Sequence, residues 1–219
     1  NLSPSVYSRR KSISSKCIKI TGDLFKYVLL STVVFTAIYL LVPTFVFAQL
    51  PLNVNKTYTA IRIDTQTPVI DGVLDDEVWQ NDNWGDSFIQ REPNDGTAPS
   101  QATEFKLVYD DENIYVAFHA HDKELDKIER RGSRRDGNAG DWVEIDIDSY
   151  NDKRTSFSFT ITAAGVKGDR LVSEDGGATD VSWDPVWYAN AAESESGWTA
   201  EIKIPLGQLR FSENENQVW

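Results

Sequence analysis

The sequence predicts an all-β protein: an antiparallel β-sandwich, jelly-roll-like, preceded by an N-terminal hydrophobic signal helix. Three observations carry that expectation. Seven short stretches after residue 58 alternate apolar with polar residues or are rich in β-branched and aromatic ones. Turn chemistry separates them, with no long helical periodicity between. A hydrophobic content of 40%, with 11% aromatic residues, is enough to fill a core between two sheets.

The elements follow in order. Residues 1–48 carry a basic n-region (1–26) and an apolar region (27–47) that ends in Val46-Phe47-Ala48 before Gln49, the pattern of a secretory signal peptide. Pro43 interrupts a helix there, and cleavage after Ala48 would leave Gln49 first. The alternative is a retained anchor, since Tyr27–Phe47 is long enough to cross a bilayer. Either way the rest of the chain is expected outside the cytoplasm, in the periplasm or on the cell surface. Cys17 lies upstream of the apolar run and is the only cysteine, which excludes a disulfide framework. Residues 49–58 read as a linker and 59–219 as the sandwich, cut short at its C-terminal end and followed in the full product by a further domain.

Strands are expected at Thr59–Asp64, Ala102–Asp110, Ile114–His121, Trp142–Ser149, Thr155–Thr162, Val186–Ala192 and Trp198–Pro205. The breaks are Asp110–Asn113, Tyr150–Lys153, Ala164-Gly165, Asp175–Gly177 and Ser196-Gly197. Helical turns are expected at Asp75–Gln80, where leading acids suit a helix N-terminus and Val78 or Trp79 is buried, and at Leu206–Leu209 after Pro205. Alternation puts Val143, Ile145 and Ile147 on one face, with Trp142, Glu144, Asp146 and Asp148 on the other. Likewise Phe157, Phe159 and Ile161 face in, while Ser156, Ser158, Thr160 and Thr162 face out. If these strands are neighbours, they share a watered, hydrogen-bonding surface.

Charge narrows the partners. The formal net charge is −12, and because residues 1–48 hold six bases and one acid, the 171 residues that follow hold 16 bases and 33 acids. So acidic a domain repels a phosphate backbone, which argues against nucleic acid. Contact with a membrane is left to the leader or to the further domain.

The run Pro68–Trp79 (PVIDGVLDDEVW) resembles the opening of family 9 carbohydrate-binding modules. Phe105–Asp110 with Asn113–Val116, then Asp122, Asp141–Asp148 and Gly197–Pro205, match that family in the same order. Asp152–Thr155, Gly165–Asp169 and Leu209–Phe211 are similar to long secreted bacterial proteins that carry such a module ahead of a large domain. The resemblance implies a β-sandwich that holds sugars and binds calcium. It implies a sugar site at Glu144, with Thr160 and Thr162 where the family has an arginine and an asparagine. Asn138 or Ala139 stands where the family has its first clamping tryptophan, and the second would fall beyond Trp219.

Glu144, Asp146 and Asp148 form a ladder about 6.6–7 Å apart along a strand, where like charges repel by roughly 2.4 kcal/mol at an effective dielectric of 20. Such a ladder is either solvated, with Lys106 or Arg154 as counter-charge, or neutralised by cations. Calcium needs six to eight oxygens, so loop acids must join in: Asp122, Asp136, Asp141 and Asp152, beside Asp146 and Asp148, are the candidates. His119 and His121 alternate on one strand face, but zinc needs a third ligand and the chain has no other histidine. Trp183 is a possible sugar platform, while Trp79, Trp187 and Trp198 read as core. No Gly-x-Ser-x-Gly, phosphate loop or metalloprotease helix is present. The expected function is a non-catalytic polysaccharide-binding module serving polysaccharide catabolism. The rival is a structural cap on an outer-membrane partner, and a glycoside hydrolase ranks third.

Overall fold

The computed structural model describes residues 56–64, 66–137, 139–212 and 216–219. Among the described residues nine strands form two sheets. β1 (Ile61–Arg62), β2 (Thr103–Tyr109), β3 (Asn113–His121), β9 (Gly197–Pro205) and β8 (Tyr188–Ser194) lie side by side in that order. β4 (Trp142–Ile147), β5 (Ser156–Thr162), β6 (Lys167–Ser173) and β7 (Ala178–Asp180) make the second sheet. All neighbours are antiparallel except β1 and β2. The signal helix and most of the linker expected from the sequence lie outside the described residues. Among the described residues no helix is long and apolar enough to cross a membrane.

The alternation that predicts the strands also builds the core. Ile114, Val116 and Phe118 of β3 and Ala200, Ile202 and Ile204 of β9 meet Ile147, Phe157, Phe159 and Ile161 of the other sheet in one buried cluster. Trp187 and Trp198 belong to it, as expected for core tryptophans. The outer face of the five-stranded sheet is covered too. There Trp79, at the end of a 3₁₀ turn (Glu77–Trp79), packs on Val108, Tyr115 and Ala117 with Ile61, Ile70 and Trp84 around it. Of the pair Val78 and Trp79, it is Trp79 that is buried.

Two strands were not expected. β6 reads Lys-Gly-Asp-Arg-Leu-Val-Ser, a polar start that resembles a loop, and β7 has only three residues. Lys167, Asp169 and Arg170 of β6 each have a tertiary partner that outweighs their low strand propensity. Lys167 Nζ donates to the Trp187 carbonyl at 2.8 Å. Asp169 accepts from Trp187 Nε1 at 3.0 Å and from Arg135 at 2.5 Å. Arg170 reaches across β5 to Glu144 on β4.

Candidate functional site

The β4–β5 register pairs Trp142 with Thr162, Glu144 with Thr160 and Asp146 with Ser158. These side chains do share the outer face of the four-stranded sheet, but that face is not uniformly watered. Thr160 and Thr162 are 1% exposed and Ser158 is fully buried, a correction to the expectation that all of them meet solvent. β5 is an inner strand, so its short hydroxyl residues sit between longer neighbours. Thr160 Oγ1 donates to Glu144 Oε2 at 2.5 Å, and Ser158 donates to Asp146. Thr162 Oγ1 accepts the amide of Val166 in the turn to β6. None of the three hydroxyls is open to solvent.

Glu144 is held from both sides. Arg170 Nη2 donates to its Oε1 at 2.5 Å, and its side chain is only 11% exposed. Neither Lys106 nor Arg154 is the counter-charge. Lys106 is buried on the other sheet, where its ammonium donates to the Trp79 carbonyl, and Arg154 pairs with Asp175.

Trp142 and Asp146 are the exposed residues of β4 on this face. Trp142 is 46% exposed, and strand alternation puts it beside Glu144. Trp183 lies elsewhere. It stacks on Phe157 and Phe159, with ring centroids 5.1 and 5.6 Å away, and those rings point into the core. Trp183 and Glu144 are therefore on opposite faces of one sheet, and the structure does not bring them together. Asn138 lies outside the described residues.

The proposed calcium ligands are engaged by hydrogen bonds within the fold. Asp148 accepts the amides of Asp152 and Lys153, and Asp152 accepts those of Arg154 and Thr155. The Arg154 and then the Thr155 amide hold the Asp152 carboxyl below its ordinary value. Asp141 accepts the Glu129 amide, Asp122 accepts from Gln101 and the Glu124 amide, and Asp136 accepts the Asp169 amide. Among the described residues no three carboxylates converge, so Asp122, Asp141, Asp146, Asp148 and Asp152 do not form one calcium cage between them.

Among the described residues one metal-type cluster forms. Glu104 of β2 lies directly across from His119 of β3, and one ligand atom from each of Glu104, His119 and His121 falls within 4.8 Å of the other two. His121 Nε2 is 2.9 Å from Glu104 Oε2, and His119 Nε2 is 3.0 Å from Ser196 Oγ. Burial, then the neighbouring His121, holds the His119 imidazole below its ordinary value. The sequence carried the signal for Glu104. Once Asp110–Asn113 is read as the turn of a hairpin, the pairing that follows puts residue 104 opposite residue 119.

Residues 70–219 match the family described as carbohydrate family 9 binding domain-like. The chain belongs to that family. Among solved structures it is similar to a family 9 carbohydrate-binding module from Caldicellulosiruptor kristjanssonii in complex with glucose. The two share 22% identity over 68% of this chain and 69% of that one, with a TM-score of 0.46. A module from the same organism in complex with cellotriose shares 20% identity over 67% of each chain, with a TM-score of 0.44. No curated protein matches the sequence.

Proposed function

We propose that this family 9 module is a non-catalytic glycan-binding domain whose sugar-contacting surface is the outer face of β4, with Trp142 as platform and Glu144 as its polar neighbour. The exposed indole of Trp142 on the face that carries Glu144 supports this reading above any other feature. A sugar ring laid on half of an indole buries on the order of 100 Å², which contributes roughly 2–3 kcal/mol. That suits weak binding to a repeating polymer rather than tight capture of a free sugar. Glu144, fixed by Arg170 and Thr160, presents a carboxylate that does not need reordering on binding. Calorimetric titration with glucose and cellotriose, and pull-down on insoluble polysaccharides, test the reading. Trp142→Ala is expected to abolish binding at unchanged melting temperature, and Glu144→Gln to weaken it about ten-fold, the loss of one charge-assisted hydrogen bond. Equal binding by Trp142→Ala and the wild type would remove this surface from the function.

The leader-like residues 1–48 support an exported protein, processed after Ala48. N-terminal sequencing of the mature protein should then begin at Gln49. The rival structural reading draws on the closed hydroxyls of Thr160 and Thr162, which leave few free hydrogen-bonding groups beside Glu144. A wild type that binds none of the polysaccharides would favour it.

A further inference from the structure

We infer that Glu104, His119 and His121 form a binding site for a divalent transition-metal ion of the zinc class, on the outer face of the five-stranded sheet and apart from the sugar-contacting surface. Two imidazoles and a carboxylate are the donor set that zinc, nickel or copper prefers. The oxygen-seeking calcium and magnesium ions do not favour nitrogen ligands. All three residues sit on strands rather than loops, in the β2–β3 hairpin, so register holds the ligands together. The His119 and His121 rings stack with centroids 3.8 Å apart. The Ser196 hydroxyl, in the turn before β9, is 3.0 Å from His119 Nε2 and holds that ring.

Bonds of about 2.0–2.1 Å to a tetrahedral ion set neighbouring ligand atoms roughly 3.3–3.5 Å apart. The three atoms already lie within 4.8 Å. Closing the gap needs shifts of about 1 Å in half-exposed side chains, which rotamer adjustment supplies. Three protein ligands leave the fourth position to water or to an outside ligand. The nearby Asp122 carboxylate is occupied by Gln101 and the Glu124 amide.

The test uses the full chain without an affinity tag and a chromophoric zinc chelator as competitor. One equivalent of zinc should bind, and cobalt in its place should give the visible absorption of a low-symmetry, four- or five-coordinate ion. His121→Ala and Glu104→Gln should each weaken binding by about ten-fold or more, with far-ultraviolet dichroism confirming that both variants fold. Cys17→Ser should bind as the wild type does, since the cysteine is the one other soft ligand in the chain. Trp142→Ala should also bind zinc normally, which separates this site from the sugar surface. No zinc binding by the wild type, binding unchanged in His121→Ala and Glu104→Gln, or binding lost in Cys17→Ser would each overturn the assignment.

Discussion

Glu201 of β9 is fully buried on the outer face of the five-stranded sheet and accepts three hydrogen bonds. Trp79 Nε1 donates to Oε1 at 2.7 Å, and the amides of Asp71 and Gly72 donate to Oε2 at 3.0 and 2.8 Å. One carboxylate thus fastens the covering segment to the sheet. Truncation would strand all three donors, so Glu201→Ala should cost about 3 kcal/mol or more in urea unfolding. Burial holds this carboxyl above its ordinary value, against the pull of Trp79 and the two amides. The folded state therefore keeps the proton more readily than the unfolded chain does. The contribution is complete below the ordinary glutamate value of about 4.3 and is lost as pH rises through the folded value. The stability difference between the wild type and Glu201→Gln should accordingly shrink from pH 4 upward, and a flat difference would contradict it. Trp142 makes a second point at this scale. Alternation alone puts it beside Glu144, whereas the exposure of its indole depends on what neighbouring chain leaves uncovered. The sequence offers Trp183 rather than Trp142 as the sugar platform, and only the position of Phe157 and Phe159 beneath it shows that it faces the core.

Among the elements, strands with their own apolar alternation were legible, and β6 was not. Nothing local in Lys167–Arg170 favours a strand. What holds it extended are Trp187, Arg135 and Glu144, the nearest of them 18 positions away. Turns were legible where small or acidic residues set the backbone. Gly165 and Gly197 show how much the surroundings then matter. At Gly165 φ is +76° with open space where a side chain would start, so Gly165→Ala should cost about 1–2 kcal/mol of conformational strain. At Gly197 φ is +150°, and a Cβ would lie 2.0 Å from the Ala120 carbonyl oxygen of β3. Gly197→Ala should therefore cost clearly more, on the order of 3 kcal/mol, and amide exchange should quicken first along His119–His121. Thermal melts of the two variants check the order.

At the scale of the whole molecule, two sheets around one aromatic-rich core could be anticipated from strand count and facing. Which strands neighbour which could not, because β8 and β9 return to the sheet begun by β1–β3 after four strands have built the other. Phe159 is fully buried between the sheets, edge-on to Trp187 and Trp183. Phe159→Ala should cost about 3–5 kcal/mol through lost transfer and cavity terms, read as a lower urea midpoint with the near-ultraviolet tryptophan signal reduced. The margin of the five-stranded sheet has a different consequence. β2 would end that sheet with its outward amides and carbonyls free, yet each end is occupied. Phe105 exchanges both backbone hydrogen bonds with Gly85, the Leu107 amide donates to the Tyr58 hydroxyl, and the Tyr109 carbonyl accepts from Ile63. A row of unsatisfied strand groups is a template for another chain, and residues 58–63 together with Gly85 deny that template to a neighbour. Proteolytic nicking just after Arg62 would uncover it, turning a monodisperse sample into one that assembles edge to edge over hours of light scattering.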